Sequence, residues 1–302
     1  MTGFDALWAF ERYEQVRPRL PSARAEGAAQ LVEGLGALAE RYDGFVLDAF
    51  GVINVGETAI AGAADGIAGL QALGKTVLVV TNGATTPGEA TAAKYAKMGL
   101  PLTRREVISS RDALALALAE EEDVGLWGFA ATEASELEQF GTPFSILGED
   151  PEDYRRAEGF VLLSSIDWND ERQARLAAAL AERPRPLLVG NPDLVAPREW
   201  GFSAEPGHYA HLLADAGLAA PSFYGKPYPE VFELASAELA RRGVAADRVC
   251  MVGDTLHTDI LGGAAQGWGT VLVTGHGLYR GLDVAALIER SGLSPDFVTD
   301  SI

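Results

Sequence analysis

Short, uninterrupted apolar runs recur along this chain of 302 residues, and helical patterns lie between them. These runs constrain the fold more than any other feature. A strand that is apolar throughout is buried on both faces, whereas a half-exposed strand alternates apolar and polar residues. Five runs have this form and end in small or polar residues: 45–48 (FVLD), 76–82 (TVLVVTN), 106–110 (EVISS), 248–254 (RVCMVGD) and 270–275 (TVLVTG). They predict an α/β fold with a parallel sheet covered by helices, whose active residues lie at the carboxyl ends of the strands.

Two helices between these runs can be predicted from their residues. Residues 229–242 place apolar side chains on one face, and Gly243 follows as a helix stop. Residues 113–119 (ALALALA) alternate like a strand, but alanine and leucine are strong helix formers, so we predict a helix there. The first forty residues are also predicted to be helical.

The middle of the chain differs in composition from the segments on either side. Residues 111–219 contain strand candidates of their own (VGLWGF, EGFVLLSSI and RPLLVGN) and three of the five tryptophans. The length of the chain suits two domains better than one. We therefore predict an α/β domain at 111–219, inserted into a discontinuous core formed by 1–110 and 220–302.

The net charge of −19 limits the classes of partner. Negative charge repels phosphate backbones and anionic lipid, so neither nucleic acid nor a membrane is expected. A phosphate site in such a chain needs a metal ion or local positive charge.

Cysteine content and the first residues bear on the compartment. The single cysteine, Cys250, lies in an apolar run and is predicted to be a small core residue. One cysteine allows no intrachain disulfide, which fits a reducing compartment. No signal peptide or membrane span is visible, so we expect a cytoplasmic protein.

Polar residues follow four of the predicted strands or turns, and in a parallel sheet they would converge. They are Asp48, Thr81 with Asn82, Lys226, and Asp254 with Asp259. Asp48 could be a nucleophile or a metal ligand, and its pairing with Asp254 suits Mg²⁺. The Thr81 hydroxyl and the backbone N–H groups of Asn82 and Gly83 could hold phosphate oxygens. Each residue alone is more often a cap or a turn residue, but their joint occurrence indicates function.

These segments resemble the haloacid dehalogenase (HAD) superfamily, and most of all its class IIA, NagD-like branch of phosphatases. The first motif is similar to residues 45–57 (FVLDAFGVINVGE), and the second to 74–87 (GKTVLVVTNGATTP). The lysine motif resembles 224–232 (YGKPYPEVF), and the metal motif 251–267 (MVGDTLHTDILGGAAQG). The inserted segments VGNPDLVAP and EPGHYA resemble signatures of that branch's cap domain.

The resemblance implies a role for each matching residue. Asp48 would be the nucleophile that forms an aspartyl-phosphate, and Lys226 would bridge it to the phosphate bound by Thr81. Asp48, the backbone carbonyl of Phe50, Asp254 and Asp259 would hold Mg²⁺. The substrate would be a small phosphorylated metabolite.

The inserted domain would be the cap, and the resemblance makes a homodimer through it conceivable. Cap contacts to the substrate could include Asn191, Asp193 and His208, although such residues are more often structural.

Phe50 departs from this pattern, because the phosphatases of the family have an aspartate there that protonates the leaving oxygen. Loss of a positioned acid or base typically costs roughly 10²–10⁴-fold in rate. The first hypothesis is a Mg²⁺-dependent phosphatase or phosphotransferase that takes its acid elsewhere, with His257 and His208 as candidates. For both histidines, a local hydrogen bond is the ordinary interpretation.

Two further hypotheses stay open at this point. A non-enzymatic, regulatory protein that binds a phosphometabolite is the second. Carbon–halogen hydrolysis is the third, because a halide leaves without a proton. The third ranks lower, since the gap at 51–71 is too short for the early helical cap of the dehalogenases, and their metal motif differs.

Overall fold

The computed structural model describes residues 4–23, 27–121, 123–198 and 200–302. The strands are β1 Gln30–Leu31, β2 Gly44–Leu47, β3 Asn54–Val55, β4 Thr58–Ala59, β5 Thr76–Thr81, β6 Val107–Ser109, β7 Trp127–Ala130, β8 Phe144–Ile146, β9 Gly159–Leu162, β10 Leu187–Val189, β11 Val195–Arg198, β12 Gly201–Ala204, β13 Ser222–Phe223, β14 Val249–Gly253, β15 Gly269–Val273 and β16 Phe297–Thr299. The α-helices are α1 Ala6–Val16, α2 Ala63–Ala72, α3 Gly88–Lys97, α4 Ser110–Glu120, α5 Pro151–Arg156, α6 Asp170–Glu182, α7 Pro206–Asp215, α8 Pro229–Arg241, α9 Leu261–Ala265 and α10 Val284–Ser291.

The core is a seven-stranded parallel sheet in the order β1-β16-β15-β14-β2-β5-β6. The five predicted apolar runs form β2, β5, β6, β14 and β15, and the prediction of a parallel α/β core is confirmed. Helices cover both faces. On β2, Leu47 packs in a cluster with Ile67 of α2, whereas Val46 packs in a cluster with Phe232 of α8 on the other face. Burial on both faces explains why these strands are apolar throughout.

The inserted region has a five-stranded parallel sheet in the order β13-β10-β9-β7-β8, and β11 and β12 form an antiparallel hairpin beside it. Its last strand, β13, lies just beyond residue 219, where the sequence places the end of the insertion. Because β13 pairs with β10, we propose that the inserted domain extends to Phe223.

The two helices predicted from their own residues are both present. The run at 113–119 lies in α4, and residues 229–242 form α8 with its end at Arg241, so both helices are confirmed. The alternating sequence of α4 fits a strand or a helix, and the contacts show a helix with one buried face. Leu114 and Leu118 are buried in the inserted domain's cluster, whereas Leu116 is exposed.

The first forty residues are only partly helical. The prediction is confirmed for α1 but is wrong for β1, which pairs in parallel with β16 at the sheet edge. That pairing joins residues far apart in the chain, so no local pattern encodes it. Residues 1–3 and 24–26 lie outside the described part of the chain.

Cys250 is fully buried in the core, as predicted. Among the described residues, no helix is long and apolar enough to cross a bilayer.

Candidate active site

Three neighbouring strands carry polar residues to one edge of the core sheet. β2 lies between β14 and β5, with Leu47 in register with Val252 on one side and with Val79 on the other. Asp48, Thr81 and Asp254 therefore lie at the same carboxyl edge. The backbone N–H of Asp48 donates to the carbonyl of Val252 at 2.8 Å, which holds the position of the first aspartate.

Lys226 reaches this edge from the segment between β13 and α8. Its ammonium forms ion pairs with Asp48 and, at 2.8 Å, with Asp259, and the lysine is almost completely buried. A buried ammonium is costly without anions around it. Burial lowers the pKa of Lys226, but the carboxylates of Asp259 and Asp48 outweigh it and hold the pKa above its usual value, so the lysine is charged.

Three carboxylates meet around this lysine. Each of Asp48, Asp254 and Asp259 offers an oxygen that lies within 4.8 Å of those of the other two. Asp254 Oδ2 accepts the backbone N–H of Leu278 at 2.6 Å, and Oδ1 accepts the Thr255 hydroxyl at 2.8 Å. This set of hard oxygen donors is the chemistry that Mg²⁺ or Ca²⁺ prefers.

The backbone makes room for these carboxylates. A Cβ on Gly277 would lie 1.9 Å from Asp254 Oδ2, and a Cβ on Gly51, whose φ is +81°, would lie 2.3 Å from the same atom. A Cβ on Gly253 would lie 2.1 Å from the Cβ of Asp259. Glycine at these three positions is therefore a condition for the site rather than a matter of loop flexibility.

The site holds more negative charge than one lysine balances. Burial raises the pKa of Asp48 to about 7 even though Lys226 opposes the shift. Burial and the neighbouring carboxylates of Asp48 and Asp259 also raise the pKa of Asp254. A divalent cation among these oxygens would stabilise both carboxylates in their charged form and so oppose both shifts, and the residues fit such an ion.

Asn82 holds Lys226 by its backbone. The Asn82 side-chain oxygen accepts the N–H of Lys226 at 2.7 Å, and its amide donates to the Lys226 carbonyl at 2.9 Å. The same amide nitrogen is 2.8 Å from Asp193 Oδ1 in the inserted domain. Sequence reasoning assigned Asn82 to phosphate through its N–H group and missed this positioning contact.

The other predicted phosphate ligands are placed as follows. Thr81 is buried at the end of β5, and its hydroxyl oxygen accepts the N–H of Gly83 at 3.1 Å. Asn191 donates its amide to Glu205 at 3.1 Å, and its oxygen accepts the N–H of Asp193 at 2.9 Å, so it shapes the turn before β11. Phosphate contacts by these residues stay predictions.

Comparisons with known proteins agree with this geometry. Residues 45–142 match the model described as haloacid dehalogenase-like hydrolase, and residues 223–302 match a second model, described as HAD-hydrolase-like. The chain is 31% identical over 297 residues to glycerol-3-phosphate phosphatase of Homo sapiens, which covers 88% of this chain and 90% of that protein. The chain belongs to the haloacid dehalogenase-like hydrolases. The resemblance read from the motifs is thus confirmed.

Solved structures of HAD proteins extend the likeness to the whole architecture. A possible sugar phosphatase of the HAD superfamily from Cytophaga hutchinsonii aligns with a TM-score of 0.81 and 26% identity, over 90% of this chain and 98% of that chain. A p-nitrophenyl phosphatase from Archaeoglobus fulgidus aligns with a TM-score of 0.69 and 28% identity, over 86% and 96%. The inserted α/β domain after β6 is that of the class IIA branch of HAD hydrolases.

Two cavities meet at Phe50 of this HAD protein. A small cavity of about 30 Å³ is lined by Asp48, Asp254 and Thr81, among others. A larger cavity of about 860 Å³ extends between core and inserted domain. Phe50, Thr81 and Asp193 line both. Phe50 therefore stands where the reacting centre opens into the space for the rest of a substrate.

The two histidines considered as substitute acids do not line either cavity. His257 is buried, pairs with Glu14 of α1 and stacks on the ring of Tyr13. His208 packs against the ring of Trp8, and burial lowers its pKa to about 4. Both have structural roles.

Asp193 is a carboxyl group of the inserted domain that lines both cavities. Burial raises its pKa to about 8, with Lys226 opposing and Asp48 reinforcing the shift. The group is therefore protonated near neutral pH. The sequence offered a weak signal for it, because Asp193 lies in the cap-like segment VGNPDLVAP.

The N-terminal helix α1 also reaches the site, which no sequence pattern indicated. Tyr13 lines the small cavity, and its hydroxyl accepts the N–H of Leu194 at 3.3 Å. Arg12 forms an ion pair with Asp215 of the inserted domain. Helix α1 thus bridges the core and the inserted domain.

Proposed function

We propose that this chain is a Mg²⁺-dependent phosphatase that hydrolyses small phosphorylated metabolites through Asp48. The observation that carries the proposal is the convergence of Asp48, Lys226 and two further buried carboxylates at one sheet edge. The phosphatase names of the similar proteins support the same reaction class.

Asp48, Asp254, Asp259 and the backbone carbonyl of Phe50 would hold the ion. When bound, Mg²⁺ would neutralise charge on the phosphoryl oxygens. Lys226 favours the ionised form of Asp48 and offsets the negative charge of the phosphate, and Thr81 donates its hydroxyl to a phosphoryl oxygen.

The reaction proceeds in two displacements. A carboxylate oxygen of Asp48 attacks phosphorus, the bond from phosphorus to the leaving oxygen breaks, and that oxygen keeps the electron pair. Water then attacks phosphorus in the aspartyl-phosphate, the bond to the Asp48 oxygen breaks, and inorganic phosphate is released. The first step needs an acid for a poor leaving group, and the second needs a base.

Asp193 acts as the general acid and base, a role that the Phe50 side chain cannot perform. Its carboxyl lines both cavities and carries a proton near neutral pH, so it donates that proton to the leaving oxygen and accepts one from the attacking water. It approaches from the inserted domain, whereas the family's acid follows the nucleophile on the core. Proton transfer therefore requires the two domains to be together.

The proposal is tested by hydrolysis of 4-nitrophenyl phosphate with Mg²⁺ and with EDTA. Metal-dependent turnover is expected, and Asp48→Asn is expected to lower it by about 10³-fold or more. Asp247→Asn, an exposed aspartate, serves as the matched control. Turnover that survives Asp48→Asn would reject the proposal.

The same experiment separates the two alternatives. Metal-dependent binding of inorganic phosphate without turnover of any ester would indicate a binding protein. Metal-independent release of halide from 2-haloacids would indicate a dehalogenase, but between β2 and β5 the chain has only the β3–β4 hairpin and α2, not an early cap. Dimerisation through the inserted domain stays a prediction.

A further inference from the structure

Two basic side chains flank Phe50. The Lys94 ammonium lies 5.5 Å from the centroid of the Phe50 ring, and the Arg198 guanidinium carbon lies 5.3 Å from it. Lys94 belongs to α3 of the core, and Arg198 ends β11 of the inserted domain. An aromatic face attracts cations, so Phe50 holds together two positive charges from different domains.

Both cations line the 860 Å³ cavity. Phe50 also lines the small cavity that contains Asp48. A phosphate ester whose phosphorus lies at Asp48 must therefore extend past Phe50, which brings its leaving group toward Lys94 and Arg198. The same cavity is also lined by the carboxyl groups of Glu57, Asp193 and Glu205.

Lys94 and Arg198 each form an ion pair with a carboxylate. The strength of these ion pairs decides whether an anionic group of a substrate can bind to either cation. Lys94 pairs at 2.6 Å with Glu57, whose side chain is 76% exposed. Exposed pairs contribute only about 0–1 kcal/mol, so an anion in a more enclosed site can replace this partner.

Arg198 keeps donors available. Its Nη2 donates to Glu205 at 2.9 Å and its Nε to the Ser203 hydroxyl at 2.9 Å, while Nη1 has no hydrogen-bond partner within the part of the chain that the structure describes. The guanidinium is thus held in place with donors to spare for an anion.

We propose that Lys94 and Arg198 form a subsite for a second anionic group on the substrate's leaving group, a carboxylate or another phosphate. The inference rests on the proposed phosphatase activity and names its substrate class. Phenylalanine at position 50 leaves the two cations available to the substrate, because an aspartate there would form ion pairs with them and compete with the substrate's anionic group.

The test uses matched substrates with Mg²⁺: 3-phosphoglycerate against glycerol 3-phosphate, and fructose 1,6-bisphosphate against fructose 6-phosphate. The first pair reports a carboxylate and the second a phosphate. Hydrogen bonds to charged groups contribute enough that kcat/KM is expected to be about 10- to 100-fold higher for the doubly anionic member of at least one pair.

Lys94→Met and Arg198→Gln are each expected to reduce the ratio of kcat/KM between the doubly and the singly anionic substrate about tenfold or more. Turnover of 4-nitrophenyl phosphate by each variant serves as the common reference for its general activity. Arg41→Gln is the matched control, because Arg41 lies over the ring of Phe297 at 5.1 Å, away from both cavities, and its ratio should stay at the wild-type value. Lys94→Met keeps the test decisive if Arg198→Gln fails to fold through loss of the partner of buried Glu205.

No preference for either doubly anionic substrate, or a preference that survives both substitutions, would overturn the subsite. These outcomes are distinct from failure of the phosphatase proposal, which appears either as no turnover of 4-nitrophenyl phosphate or as turnover that does not depend on Asp48.

Discussion

Replacement of Gly277 by alanine tests the carboxylate cluster most directly. Its added methyl group would lie 1.9 Å from Asp254 Oδ2 and 2.4 Å from Asp254 Cγ. Ordinary van der Waals contact begins at 3.4 Å, so the two groups must separate by about 1.5 Å. The backbone N–H of Leu278, which donates to that oxygen at 2.6 Å, leaves little freedom for the carboxylate to stay where it is.

The magnitude follows from this displacement. A misplacement of about 1 Å can cost about 10²-fold in rate, so Gly277→Ala should lower kcat/KM by about 10²-fold or more. The half-saturating Mg²⁺ concentration should rise, because one carboxylate leaves the set of oxygen ligands. Overpacking should also cost about 1–3 kcal/mol in the free energy of unfolding.

The assay is a Mg²⁺ titration of 4-nitrophenyl phosphate hydrolysis, with thermal unfolding measured in parallel. Gly69→Ala in α2 is the control, since nothing lies within 4 Å of its added methyl group and alanine favours the helix. A folded Gly277→Ala protein with wild-type Mg²⁺ dependence and a rate within about threefold of wild type would refute the assignment of Asp254 to the metal site.

Three further outcomes are expected. Asp193→Asn should lower kcat/KM for alkyl phosphates by roughly 10²-fold and for 4-nitrophenyl phosphate much less, because nitrophenolate leaves without a proton; a series of leaving groups measures this. Phe50→Asp should speed alkyl phosphate hydrolysis by less than about tenfold, because Lys94 and Arg198 keep the new carboxylate ionised; a gain of roughly 10²–10⁴-fold would contradict this. Burial lowers the pKa of His211 to about 3, so only the unfolded state takes up a proton at this residue as the pH falls below about 6.5. The wild type should therefore lose about 2 kcal/mol of unfolding free energy between pH 7 and pH 5, and His211→Gln should not show this loss. Denaturant titrations at both pH values measure the difference.

Sequence patterns predicted the centre of the core sheet well. The apolar runs that became β2, β5 and β14 are buried on both faces, so their composition carries the signal directly. The edge strands β1 and β16 were not predicted. They are two and three residues long, and their pairing depends on contacts between distant parts of the chain.

Candidate residues at strand ends were predictable for a related reason. Parallel strands in register end at one edge, so Asp48, Thr81 and Asp254 had to be neighbours once the sheet was predicted. The roles of Asn82 and Tyr13 were not predictable. Asn82 holds the backbone of a lysine 144 positions away, and Tyr13 lies on a helix with no motif.

The amino-acid sequence by itself determined the parallel core, the inserted domain and the residues that end the central strands, because burial and local propensity act through neighbouring residues. The resemblance of its first motif also led to the prediction that Phe50 stands in the place of an acid. Only the tertiary structure decided what surrounds that position. The carboxyl group of Asp193 and the guanidinium of Arg198 come from the inserted domain, and Lys94 comes from a core helix. Their proximity results from how the two domains pack, and no single segment of the chain encodes it.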